Sequence, residues 1–310
     1  MDIVTQTVGI DTWPALAAHP AMVVHLPDGT AITRWTDDRR WAERRQAFGQ
    51  LAELFWHWQE PTADALWDLT LRHPAWPSQT LIEGLQLVRH GLSWLQADWR
   101  HRLRPHLFAD MFQPLAKRLE STHPNPNLKL FIDAQLLIAA QTTSPHDNAL
   151  YGAAALDLPR HGVVHFENGM GAIAATLVRA VRQHGGQVHY RQIARRIHLE
   201  HQCPVVVETQ RRQHTESFPA DMIITNLPPW NIAPLLVDAL PRPLQHLPCQ
   251  PKDGWGAFMV YVGLDKIAVP KQIPLHHQVV VQESLAEGNS NFLSLSPTWD
   301  DSRAPLGNVP

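Results

Sequence analysis

Cysteine is nearly missing from this 310-residue chain, which carries only Cys203 and Cys249. A secreted disulfide scaffold needs more cysteines at regular spacing, so that class is excluded, and two isolated thiols fit a reducing, cytoplasmic setting. Long apolar runs are missing as well. The longest uncharged ones, near Leu136–Ala140 and Ala257–Leu264, fall far short of the ~20 residues that a membrane-spanning helix requires. Met1-Asp2-Ile3-Val4 shows neither the basic region nor the apolar stretch of a signal peptide. Positive charge is not in excess: 26 basic side chains face 29 acidic ones, for a net charge of −3. The electrostatic footprint of a nucleic-acid binder is therefore absent. At 44% apolar and 18% charged residues, the composition excludes a disordered chain. The length suits one large domain or two ordinary ones.

Motifs of nucleophilic and metal catalysis are equally scarce. G-x-S-x-G, H-E-x-x-H and C-x-x-C do not occur. His276 and His277 are adjacent, which on a strand sends them to opposite faces, and His198 and His201 straddle an expected turn. Nineteen histidines make such pairs arise by chance, and no metal site is expected. Gly169-Met170-Gly171-Ala172-Ile173-Ala174 matches G-x-G-x-x-A ahead of a helix, the form of a dinucleotide-binding turn. Such a turn wants an acidic residue at the end of the next strand, where His189-Tyr190-Arg191 stands instead. An Arg suits a phosphorylated ribose, yet a glycine-rich helix start is the simpler reading. Tryptophan, by contrast, is abundant, and Trp35, Trp41, Trp56, Trp58, Trp67, Trp76, Trp94 and Trp99 all fall in the first hundred residues. Packing on helices explains them more simply than an apolar groove for a hydrophobic ligand or membrane surface.

Periodicity lays out the elements. Met22–Leu26 and Ala31–Trp35 flank Pro27-Asp28-Gly29-Thr30 as a hairpin. Phe48, Leu51, Leu54, Phe55 and Trp58 recur at helical spacing within a helix from Asp37 to Gln59, ended by Pro61. Helical pattern continues over Thr80–Leu119, with breaks at Pro105 and Pro114, and again over Asn127–Thr142, opened by Asn125-Pro126-Asn127. A short strand at Gly162–Phe166 precedes a helix from Gly169 to His184, closed by Gly185-Gly186. Strands are expected at Gln187–Tyr190, Ile193–Leu199, Val205–Thr209 and Glu216–Pro219, with a buried one at Asp221–Thr225. A helix over Pro229–Leu240 has proline in its first turn. Three more strands, Gly256–Leu264, His277–Glu283 and Asn291–Leu295, precede a turn-like end at Ser302–Pro310. This order predicts an α/β protein, with α+β mixed character, built of two interleaved domains.

Several stretches together carry a resemblance to a known family. They are Val24-His25-Leu26-Pro27-Asp28-Gly29, Trp56-His57-Trp58-Gln59-Glu60, Asp133-Ala134-Gln135-Leu136-Leu137-Ile138 with Gln141-Thr142, and Tyr151-Gly152-Ala153-Ala154-Ala155-Leu156. To these add Gly169-Met170, the strands around Ile193 and Ile197, Ala220 to Asn226, Glu287-Gly288-Asn289-Ser290, and Leu293 to Pro297. The ordered set resembles the flavin-dependent carotenoid desaturases and isomerases of the phytoene-desaturase type, relatives of the amine oxidases. It looks closest to the desaturases that act on the end region of an already processed carotenoid. The family's Gly-Gly-Met turn reads Asn168-Gly169-Met170 here, a mild departure because Asn tolerates a left-handed turn.

The resemblance implies an amine-oxidase-like, two-domain flavoprotein. Residues 1–157 and 229–310 would form a mixed-sheet and helical substrate domain, and residues 158–228 the remaining part of a Rossmann-like FAD-binding domain. It implies FAD as cofactor, Ile193 at the adenine ring and Asn226 near the same nucleotide, and a carotenoid polyene as substrate. Hydride removal to flavin, or isomerisation with the same flavin, would be the reaction, and peripheral membrane contact would follow from a lipid substrate. No general base can be named from sequence. The family's glycine-rich first and last segments are expected to lie before residue 1 and after Pro310, which makes the chain read as a fragment. A non-catalytic piece that binds a hydrophobic ligand without flavin is the rival expectation.

Overall fold

The computed structural model describes residues 2–10, 13–71, 80–97, 106–120, 125–201, 203–236, 257–270, 272–285, 288–297, 299–300, 302 and 308–309. It is a mixed α/β fold whose chain divides into two compact units, Trp13–Ala172 with Val260–Pro310, and Met1–Thr12 with Ile173–Met259.

The larger unit grows from the hairpin. Met22–His25 and Ala31–Arg34 pair antiparallel, and the tight reversal uses Gly29 at φ +86°, a conformation that glycine adopts without a Cβ penalty. Asp28 Oδ1 accepts from the Thr30 N–H at 2.9 Å inside the turn. Two later strands complete the sheet, in the order Ser290–Ser294, His276–Val280, Met22–His25, Ala31–Arg34. His276–Val280 runs parallel to Met22–His25 and antiparallel to Ser290–Ser294. Directly opposed residues share a face, so Ile32, Val24 and Gln278, with Val280 two residues on, all point into the core. Gln278 is fully buried there, and burial of an amide is tolerated only when it is hydrogen-bonded. Its nitrogen donates to the Ala134 carbonyl and Ser290 Oγ, and its oxygen accepts from Gln135.

Helices cover this face. One helix was expected over 37–59; the chain instead forms Arg39–Phe48 and Glu53–Thr70, split at Gly49, which sits at φ +82°, ψ 168°. Pro61, expected as a terminator, lies inside the second helix. Its missing N–H and ring clash cost about 3 kcal/mol. Burial outweighs that cost. Phe55 and Trp56 are fully enclosed just before the proline, and Thr62, Ala63 and Ala65 just after it. Large apolar side chains contribute roughly 1.5–3 kcal/mol each on burial.

The helix Pro126–Ala139 starts as expected. Asn125 accepts from the Leu128 N–H at 3.1 Å, and Pro126 takes the first helical position. Its residues are buried almost all round from Leu130 to Leu136, the signature of a core helix. Ala149–Asp157, capped by Asn148, packs against Glu53–Thr70 and Leu115–Glu120. Gly152 allows that approach, because a Cβ there would lie 2.8 Å from Leu115 Cδ2 and 2.9 Å from Asp147 Oδ2. The stretch Thr80–Leu119 is helical at Leu81–Ala97, His106–Asp110 and Leu115–Glu120; Pro105 lies outside the described residues, as do Trp76 and Trp99.

Two further expectations change, the first where the chain passes from one unit to the other at Met259–Val260. Phe258–Val262 forms no strand, and its side chains are exposed; only Leu264–Asp265 pairs, with Asn308–Val309. Gly256 lies outside the described residues. The strand before Gly169, Val164–Phe166, pairs antiparallel with Ala15–Ala17 in a two-stranded ladder. A dinucleotide-binding turn follows a strand of a parallel sheet, so the G-x-G-x-x-A reading gives way to a glycine-rich helix start. Asn168 and Gly169 take φ +62° and +73°, the left-handed geometry that Asn tolerates.

The helix Gly171–Gln183 runs from Ile173 on within the smaller unit and closes there in a double-bonded left-handed cap. The Gly186 N–H reaches the Val181 carbonyl, the Gly185 N–H reaches the Arg182 carbonyl, and Gly185 sits at φ +81°. A three-stranded antiparallel meander follows, Ile193–Glu200, Cys203–Arg211 and His214–Pro219. The expected strands at Gln187–Tyr190 and Asp221–Thr225 do not form. An apolar strand is stable only when a neighbour pairs its backbone, and neither segment has a ladder partner among the described residues. Met222 and Ile224 are consequently 76% and 91% exposed. The expected helix at Pro229 is one short turn, Pro229–Ile232, continued by a 3-10 turn at Ala233–Leu235; residues 237–240 lie outside the described residues.

Candidate functional site

The larger unit holds a small, partly enclosed cleft between the hairpin strand Ala31–Arg34 and the helices around it. Its walls carry four arginines, Arg34, Arg40, Arg44 and Arg160, beside Trp56 and Asp157. Arg40 and Arg44 lie four residues apart, so one helix presents both on the same face. Glu60 ties them together. Arg40 Nε donates to Glu60 Oε1 at 2.9 Å, and Arg44 donates from Nη1 to the same oxygen at 2.7 Å. Arg160 is fixed by Asp157 at 2.7 Å and 2.9 Å and also meets Asp64.

Arg34 differs from the others. Its guanidinium donates to the side-chain oxygen of Gln135 and, at 2.9 Å, to the Leu156 carbonyl. Both acceptors are neutral. Burial, followed by the nearby charge of Arg44 and against the pull of Asp157, pushes its pKa down to about 9. Burial also lowers Arg44, although Glu60 opposes the shift. Burial alone would raise Glu60, but bonds to Arg40 and Arg44 overcome it and hold the carboxyl below its ordinary value. Trp56 is enclosed under Arg44, whose guanidinium carbon lies 3.9 Å from the indole centroid. The indole Nε1–H of Trp56 has no hydrogen-bond partner among the described residues. Sequence reasoning missed this cleft, although the run Arg34-Trp35 to Arg44-Arg45 carries its signal as arginines spaced four apart between tryptophans.

The residues singled out as cofactor contacts lie in the smaller unit. Ile193 opens the first strand of the meander opposite Gln210 and is 55% exposed. Among the described residues that strand lies at the edge of its sheet, and in an edge strand alternate residues direct backbone N–H and C=O groups away from the sheet. Asn226 is exposed in the irregular segment that replaces the expected strand. No hydrogen bond joins the two among the described residues. His276 and His277 face opposite ways, as their adjacency requires. His277 stacks on His25 with Nδ1 3.0 Å from its Nε2, while His276 stacks between His165 and Phe292. Among the described residues no three His, Cys, Asp or Glu side chains converge to hold a metal ion, and no helix is long and apolar enough to cross a membrane.

Over 190 residues the chain is 26% identical to the chloroplastic prolycopene isomerase of Arabidopsis thaliana, a match that takes in 59% of this chain and 31% of that protein. The chain thus spans about a third of the length of the curated relative it matches. No family model matches the chain.

Proposed function

We propose that this chain is part of a flavin-dependent enzyme that modifies a carotenoid. The observation that carries the reading is the likeness to a prolycopene isomerase over most of the chain, which agrees with the resemblance in the stretches quoted above. Residues 158–228 contribute to the FAD-binding part, and residues 1–157 and 229–310 to the substrate part. Ile193 offers edge-strand backbone groups to the adenine, and Asn226 offers its side-chain amide beside the same nucleotide. The exposure of both residues, and the open edge at Ile193, fit a nucleotide contact. FAD supplies the redox chemistry as a hydride acceptor for a C–H bond of the polyene. The chain's own part is to bind and to hold the apolar substrate away from water. The exposed apolar run Phe258–Val262 suits contact with a lipid-like polyene or a membrane surface.

Desaturation is the reaction proposed first, because the resemblance is closest to desaturases. Isomerisation with the same flavin is the second reading, and the name of the relative favours it. Chromatography with mass detection separates them. The protein is purified from its own cells and incubated with a lycopene-type polyene. A product two hydrogen atoms lighter with longer-wavelength absorption supports desaturation. A product of unchanged mass and altered retention supports isomerisation. An unchanged polyene under conditions where the protein is folded and flavin-loaded would remove both.

A further inference from the structure

We infer that the arginine cleft of the larger unit is a binding site for a phosphate-type oxyanion. Four guanidinium groups line the cleft, and two enclosed carboxylates, Glu60 and Asp157, answer them. The other two acidic partners, Asp38 and Asp64, lie largely in water at the rim, where their charge is screened. The enclosed walls therefore carry a surplus of about two positive charges, and buried charge without a counter-charge is costly.

Donor capacity points the same way. A guanidinium presents five N–H groups. Arg34 uses two of them, both on neutral acceptors, and Arg44 uses one. The orphaned Trp56 Nε1–H adds an unfilled donor in the same wall. This is an independent sign, because buried donors are otherwise paired in more than nine cases in ten. The donors belong to three separate elements, the strand Ala31–Arg34 and the helices Arg39–Phe48 and Glu53–Thr70. A tetrahedral dianion with several equivalent oxygens satisfies such a set better than a planar carboxylate, and guanidinium groups bind phosphate in a two-pronged fashion. The oxyanion site stands independently of the proposed carotenoid reaction.

The test uses the full chain and inorganic phosphate, titrated calorimetrically at constant ionic strength with chloride as the balancing anion and acetate as the comparison. Saturable phosphate binding is expected, with acetate much weaker. Arg34→Gln and Arg44→Gln should each weaken phosphate by about tenfold or more, since each removes a charge-assisted bond. Trp56→Phe keeps an aromatic ring beneath Arg44 but loses the indole N–H together with part of the ring, so a thermal melt of the variant is read beside its phosphate affinity. Vesicles of phosphatidylcholine with and without phosphatidic acid form a second arm. Saturation by free phosphate assigns a soluble ligand. Binding confined to phosphatidic acid vesicles, and lost in the same variants, assigns a lipid headgroup. Acetate binding as tightly as phosphate, affinity unchanged in all three variants, or no binding in either arm overturns the inference.

Discussion

Replacing Glu60 by alanine should destabilise the larger unit by leaving two enclosed arginines without their shared carboxylate. Glu60 has a side chain only 11% exposed, and it holds Arg40 and Arg44, themselves 13% and 16% exposed. Removing one partner of an enclosed ion pair leaves the other charge without compensation, at a cost of about 3–5 kcal/mol. The low end applies, because Arg40 keeps Asp38 at 2.8 Å and Arg44 keeps its stacking on Trp56. For a unit of this size, about 3 kcal/mol lowers the melting temperature by about 6–12 °C. Thermal melting followed by tryptophan fluorescence reads this directly, since Trp41, Trp56 and Trp58 lie in or against the affected core. A fall of less than about 2 °C would show that the arginines find water or new partners at no cost, and the enclosed-charge reasoning would be wrong.

Three further outcomes follow from local geometry. Gly152→Ala places a Cβ within 3 Å of Leu115 and Asp147, so chemical denaturation should show a loss of about 1–3 kcal/mol from overpacking; a gain from improved helix propensity would refute the close contact. Asn125→Ala removes the cap on the Leu128 N–H and should cost about 1 kcal/mol, measured by the same denaturation. Burial, then His277, lowers the pKa of His25, and burial, His165 and His277 lower that of His276. A histidine harder to protonate when folded than when unfolded binds more protons in the unfolded state. Its contribution is therefore present at neutral pH and lost as pH falls through the unfolded value of about 6.5. Melting temperatures should drop between pH 7 and 5, and His276→Phe should flatten that drop; an unchanged slope would sink the claim.

Local signals were legible where one short stretch decides the structure. The Pro27-Asp28-Gly29-Thr30 turn, the Asn125-Pro126 helix start and the Gly185-Gly186 stop each form as read. Reading failed where distant packing decides. Pro61 stays helical because the residues on either side of it are enclosed by other helices. Asp221–Thr225 and Phe258–Val262 have strand-like composition, but strands exist only as pairs, and their composition does not supply a partner. The arginine cleft escaped because only Arg34, Arg40 and Arg44 lie close in sequence, while Trp56, Asp157 and Arg160 join them from the helices Glu53–Thr70 and Ala149–Asp157 and the 3-10 turn Leu158–His161. Ile193 and Asn226 were placed by resemblance, and their proposed roles still rest on it.

The most direct test of the account is the flavin content of the protein purified from its own cells, denatured and read by fluorescence and chromatography of the released cofactor. About one FAD per protein chain is the expected result, as a cofactor that carries the chemistry must be resident. A folded protein that releases no flavin, and takes up none when FAD is added, would contradict the assignment to a flavin-dependent carotenoid-modifying enzyme.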